Sequence, residues 1–242
     1  MIISHLHRYL FVELPRTGSS AVGKELILNY DAERILRQHA TYRDFLKQAS
    51  KDEKEYFVFS SIRNPMDKIL SLYFKHKTDH RSYDDPETYR LDNVFIAWLL
   101  ISQYRFVNMN NASFSDFFRR FYRLPYDDWS SLDHEKMDFV IRFEDLSEDF
   151  ETVLQKIGIT PVRPLPVHNK TANRSKDFWS YYDPEIRGRA EWVFGPYFRR
   201  WRYEFPEDWE TKGYRSAELM LSLIHISEPT RPSKSSRMPS SA

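Results

Sequence analysis

Tyr56-Phe-Val-Phe-Ser-Ser-Ile62 is a nearly unbroken apolar run, preceded by Lys54 and Glu55 and followed by Arg63-Asn-Pro65. A strand with one wet face alternates apolar and polar residues, so a run of this kind fits a strand covered on both faces, as in a parallel α/β sheet. Tyr9-Leu-Phe-Val-Glu-Leu14 has the same character and is closed by Pro15 and a Gly/Ser turn. Each run leads into a helical pattern. An amphipathic stretch from about Ala21 to Tyr30 follows the first, and Met66, Ile69, Leu70, Tyr73 and Phe74 recur at helical spacing behind Pro65 after the second. Two strand, loop, helix units predict an α/β domain with a central parallel β-sheet flanked by helices.

The rest of the chain continues the alternation. Thr41-x-x-Asp44 reads as a capping box ahead of a helix through about Gln48. Further helices are expected from about Leu91 to Phe106 and from Ser113 to about Arg123, then a strand from Met137 to Phe143 and a helix from Ser147 to Ile157 ended by Gly158. A proline-rich connection, Thr160 to Pro166, precedes a last helix opened by Asp183-Pro-Glu185 and running toward Trp201. One domain over residues 1–210 and a disordered tail over 211–242 are expected. Inside that tail, residues 221–231 (L-S-L-I-H-I-S-E-P-T-R) match the one-frame translation of a transposase adapter used in preparing DNA sequencing libraries. The stretch is therefore expected to be assembly read-through in place of a natural C-terminus.

Composition narrows the function classes. The 242 residues are 41% hydrophobic and 16% aromatic, enough for one packed core. With 36 Lys+Arg against 35 Asp+Glu the net charge is +1, so no global field favours nucleic acid and any anion site must be local. The absence of cysteine excludes disulfides, thiolate metal sites and a Cys nucleophile. The N-terminus lacks a signal-peptide pattern and no run of about 18 apolar residues occurs, so a soluble cytoplasmic chain without a membrane span is expected.

The first loop can be read in two registers. Gly18 to Lys24 has the G-x-x-x-x-G-K spacing of a Walker A loop, but Glu25 stands where that loop needs a Mg²⁺-binding Ser or Thr. A carboxylate there would repel phosphate. Neither Ile62-Arg63 nor Phe143-Glu144-Asp145 supplies an evident metal-binding Asp at a strand end. In the shifted register, Pro15-Arg16-Thr17-Gly18-Ser19-Ser20 leaves a strand and enters a helix. Backbone N–H groups, hydroxyls and a guanidinium then surround one anion without a metal.

That hexapeptide resembles the 5′-phosphosulfate loop, Pro-Lys/Arg-x-Gly-Ser/Thr-Ser/Thr, of sulfotransferases that use 3′-phosphoadenosine 5′-phosphosulfate (PAPS). Ser60 to Tyr73 (S-S-I-R-N-P-M-D-K-I-L-S-L-Y) resembles their 3′-phosphate motif, with Arg63 after a strand and Ser71 eight residues later. Phe139-Val-Ile-Arg-Phe-Glu-Asp-Leu146 is similar to the strand-to-helix segment that follows, and Asn169-Lys170-Thr171 and Tyr181-Tyr182-Asp183 also look familial. The resemblance implies a P-loop-like sulfotransferase fold and transfer of sulfonate from PAPS to an acceptor hydroxyl or amine. Adenosine 3′,5′-bisphosphate (PAP) is then the product, and no metal is required. Branches carrying the Pro-Arg/Lys-Thr-Gly loop and the Arg-Asn-Pro motif often act on carbohydrates, so a glycan or another small hydroxylated molecule is the implied acceptor.

The same resemblance assigns roles. Arg16, where Lys is commoner, falls at the leaving-group oxygen and sulfonate; Thr17, Gly18, Ser19 and Ser20 cradle the 5′-phosphate; Arg63 and Ser71 hold the 3′-phosphate; Lys170 approaches that phosphate or the adenine. The family takes its base from His or Glu, and the candidates are His39, then Glu13, then His76. Plainer readings stand beside these: helix capping for Ser19 and Ser20, an ion pair with Asp67 for Arg63, and a solvated side chain for Lys170. Core packing is the plainer reading of Trp179, Tyr181, Tyr182, Trp192 and Trp201, as solvated faces are of Arg119-Arg120 and Arg199-Arg200. For the whole chain the alternatives are a nucleotide kinase or NTPase with a degenerate Walker A loop, an inactive PAPS-binding module, and a protein with no nucleotide site.

Overall fold

A computed structural model describes residues 1–79, 83, 94–126, 137–166, 175 and 177–209. Lys170 with its neighbours Asn169 and Thr171, residues 91–93 of the expected fourth helix, and the tail 211–242 with its adapter-like stretch lie outside the described residues.

Five strands form one sheet in the order β3-β1-β2-β4-β5: β1 Ile2–Ser4, β2 Tyr9–Val12, β3 Glu33–Arg34, β4 Phe57–Ile62 and β5 Phe139–Arg142. The two strands expected from their apolar runs, β2 and β4, pair in parallel with Val12 opposite Ser60, and β5 joins β4 in parallel with Arg142 opposite Ile62. The α/β class holds, but the sheet is mixed, because β1 is antiparallel to both β2 and β3. Only residues 5–8 connect β1 to β2, and a connection that short permits only an antiparallel pairing.

Alternate residues of the parallel strands feed two separate cores, as a sheet covered on both faces requires. Tyr9, Phe11, Phe59 and Ile141 pack with Val22 and Leu26 of helix α1 (Ser19–Asn29) and with Phe150, Val153 and Leu154 of helix α6 (Leu146–Lys156). Leu10, Val12 and Val58 face the other way, toward Phe45 of α2 (Tyr42–Leu46), which is held by the expected Thr41–Asp44 capping box. A third cluster joins α3 (Pro65–Lys77), α4 (Val94–Met109), α5 (Phe114–Phe121) and α7 (Pro184–Trp201). Tyr182, Phe194 and Phe198 lie inside it and Trp179, Tyr181, Trp192 and Trp201 pack against it, so these late aromatics are core. Among the described residues no helix is long and apolar enough to cross a membrane.

Candidate nucleotide site

The loop after β2 and the loop after β4 emerge side by side at the carboxyl ends of parallel strands, where α/β sheets bind ligands. Turn residues Pro15–Gly18 lead directly into α1, whose N-cap is Gly18 at φ 79°. This left-handed backbone favours glycine, and space demands it too: a Cβ would sit 2.8 Å from Leu146 Cδ2. The first-turn N–H groups of any helix lack intrahelical acceptors, so this end of α1 offers donors and positive potential to an anion.

The hydroxyls of the loop have an inward task. Thr17 Oγ1 donates to the Leu14 carbonyl at 3.0 Å and accepts from Ser61 Oγ at 2.7 Å, while Ser19 Oγ donates to the same carbonyl at 2.6 Å. Both residues are buried, and they brace the turn against β4, leaving exposed Ser20 as the outward hydroxyl. Capping does not explain Ser19, since the α1 N-cap makes no side-chain bond.

The Walker register dissolves in this geometry. Helix α1 starts at Ser19, so Gly23, Lys24 and Glu25 already lie inside the helix rather than in the loop. Gly23 allows α1 to approach β1, because a Cβ there would meet Ile2 Cδ1 at 2.7 Å. Lys24 is exposed, and buried Glu25 accepts two bonds from Arg163, at 2.9 and 2.8 Å.

Arg63 joins the two loops. Asn64 caps α3 by accepting the Met66 N–H at 3.0 Å, with Pro65 in the first turn, which fixes Arg63 at the strand end. Its Nε donates to Asp67 Oδ2 at 2.7 Å, its Nη1 reaches the Arg16 carbonyl at 3.4 Å, and its guanidinium lies 4.0 Å from the centre of the Phe143 ring. The ion pair with Asp67 therefore exists, but it is buried rather than a solvated surface pair. Ser71, two turns along α3, is buried as well.

The third familial segment closes the site. Leu146 covers Gly18, Phe143 lies under Arg63, and Glu144 accepts the Asn64 N–H at 2.7 Å and the Tyr203 hydroxyl at 3.1 Å. Three segments separated by some eighty residues at the widest step, Asn64 to Glu144, thus meet at one end of the sheet. The motif spelling flagged these positions, but the contacts of Ser61, Phe143, Glu144 and Leu146 have no sequence signal of their own.

The base candidates separate clearly. His39 is exposed, with a backbone φ of 65°, and its Nδ1 lies 3.1 Å from the Glu13 carbonyl, two residues before Pro15. Nδ1 must donate to that carbonyl, which leaves Nε2 with the basic lone pair. The Glu13 side chain is fully buried in an ion pair with Arg34 and the Met1 amine. Burial pushes its carboxyl up, but hydrogen bonds from those two cations outweigh this and hold it below its ordinary value. His76 is buried against Gln103.

A model of the sulfotransferase family matches residues 1–200. The chain belongs to the sulfotransferase family. The match spans all three motif segments and the whole sheet, so the loops after β2 and β4 lie within the matched sulfotransferase region. Comparison with the curated proteins and with the solved structures gives no match.

Proposed function

We propose that this sulfotransferase takes sulfonate from PAPS and delivers it to an acceptor hydroxyl or amine, with a carbohydrate hydroxyl as the favoured class. The observation that carries the reading is the tie between Arg63 and the Arg16 carbonyl. It couples an anion loop at a helix N-terminus to a buried arginine on the neighbouring strand, as a nucleotide with phosphates on both its 5′ and 3′ oxygens requires. A Walker-type NTPase is disfavoured by Glu25, whose carboxylate is bonded to Arg163 within the second turn of α1.

The acceptor oxygen attacks sulfur as the bond between sulfur and the bridging oxygen breaks, and PAP leaves. The protein's part is to align the groups and neutralise charge, as in phosphoryl transfer. Arg16 stabilises the charge growing on the bridging oxygen, the α1 N-terminus holds the 5′-phosphate, and Arg63 with Ser71 holds the 3′-phosphate. His39 Nε2 takes the acceptor proton, because its Nδ1 is engaged by the Glu13 carbonyl. Glu13 is not carried forward as the base, since its carboxylate is committed to Arg34 and Met1. Lys170 remains a further candidate for the nucleotide. The carbohydrate acceptor rests on the likeness of the two loops to carbohydrate branches, and a reducing cytoplasmic setting fits the cysteine-free sequence.

Incubation with radiolabelled PAPS and a panel of neutral and acidic saccharides tests the reading. Label in a saccharide supports it. Label absent from every saccharide, with PAP nevertheless bound, would move the acceptor to another class.

A further inference from the structure

Behind the loop of Arg16 runs a line of polar side chains that the roles above leave unused. His76, on α3, is fully buried, and its Nε2 lies 3.3 Å from Oε1 of buried Gln103 on α4. Oε1 is an acceptor, so the imidazole N–H donates to it, and the Gln103 amide nitrogen is left as the group that reaches its other partner, the Tyr122 hydroxyl. Tyr122 ends α5, where its N–H closes on the Phe118 carbonyl at 3.0 Å and its ring stacks on Phe118 with centroids 5.4 Å apart. The ring is thereby fixed from below by packing and at its tip by Gln103.

Two consequences follow from that arrangement. A phenol oxygen that accepts from an amide keeps its own proton for another acceptor. The charge that Tyr122 senses is the Arg16 guanidinium, and both residues are only partly buried, so the proton is directed toward the opening that Arg16 also faces. Burial pushes the phenol well above its usual range, so it stays a neutral donor at physiological pH.

We propose that Tyr122, oriented by Gln103 and set beside Arg16, donates a hydrogen bond to the sulfonate of the bound donor. Arg16 supplies charge to that group, and Tyr122 supplies a neutral, directional donor. This rests on the reading of PAPS as donor. It singles out the sulfonate rather than the nucleotide, because the 5′- and 3′-phosphates are served by the α1 N-terminus and by Arg63.

Calorimetric titration of the full chain with PAPS and separately with PAP, for the wild type and Tyr122→Phe, tests it without knowledge of the acceptor. The expected result is a five- to tenfold loss of PAPS affinity with PAP affinity unchanged, the scale of about one hydrogen bond to a charged group. A structural role for Tyr122 would weaken both ligands alike, and an unchanged PAPS-to-PAP ratio overturns the proposal. Should Tyr122→Phe fail to fold, Gln103→Leu carries the same test, with PAPS weakened selectively if the hydroxyl needs its amide partner and an unchanged ratio counting against it. A wild type that binds neither nucleotide would instead sink the PAPS reading itself.

Discussion

Arg63 Nη1 lies 3.4 Å from the main-chain oxygen of Arg16, although the two residues are 47 positions apart. Arg63 is simultaneously held by Asp67 and layered on Phe143, so one guanidinium touches the loop after β2, the start of α3 and the segment after β5. Replacing it with Ala should weaken PAP binding ten- to a hundredfold, the scale of about 1.5–3 kcal/mol for hydrogen bonds to a charged partner. Arg63→Lys should recover little, since a point charge cannot serve Asp67, the Arg16 carbonyl and an anion together. Calorimetry measures both, with circular dichroism to check folding.

Gly18→Ala should destabilise the protein and loosen the loop. The substitution puts a Cβ at φ 79° and 2.8 Å from Leu146 Cδ2. The backbone term alone is about 1–2 kcal/mol, and each kcal/mol lowers the melting temperature by about 2–4 °C in a chain of this size. Adding Leu146→Ala should relieve the clash without removing the backbone cost, so partial recovery of nucleotide binding over Gly18→Ala is expected. Full recovery of stability would show that the φ of Gly18 carries no strain.

Glu25→Ser restores the Walker A spelling and should still create no Mg²⁺-dependent ATP binding, because position 25 lies inside α1 rather than in the loop. It should cost about 1–3 kcal/mol, since Arg163 loses both of its bonds to the carboxylate. Titration with ATP and Mg²⁺ checks the first statement and thermal denaturation the second.

Much of this site was legible in the chain. The apolar runs of β2 and β4 gave the parallel core, and three motifs in order pointed to the loops that the fold brings together. The antiparallel edge was not legible, because Ile2–Ser4 and Glu33–Arg34 are too short to show a period and β3 is charged and exposed. The hydroxyls of Thr17 and Ser19 were read as phosphate ligands, whereas they turn inward to Leu14, a direction that no spacing encodes. Glu13 beside the loop looked available for proton transfer, and only the tertiary pairing with Arg34 reveals that its carboxylate is occupied.

His39→Gln should lower turnover about 10²- to 10⁴-fold, the usual contribution of a general base, while leaving PAP affinity within about twofold. The comparison is kinetic, on the saccharide that accepts label, against calorimetry with PAP. Unchanged turnover would remove His39 from the mechanism.

Glu13 predicts an acid limb. Its carboxyl is held below the ordinary value of 4.5 in the folded protein, because the bonds from Arg34 and the Met1 amine outweigh the upward push of burial. The folded state therefore binds fewer protons than the unfolded one, so this stabilisation is complete above about pH 4.5 and is lost as the pH falls toward the folded value. Glu13→Gln should be less stable at neutral pH and show a flatter decline across that acid window, as followed by thermal melts against pH. Parallel wild-type and variant curves would contradict the assignment.

The most direct measurement is calorimetric titration of the protein with PAP, with and without Mg²⁺, alongside ATP. The account predicts metal-independent binding that prefers the nucleotide phosphorylated on its 3′ oxygen. Binding of ATP that appears only with Mg²⁺, with PAP no better than ATP, would contradict it and return the loop at Gly18 to the Walker register.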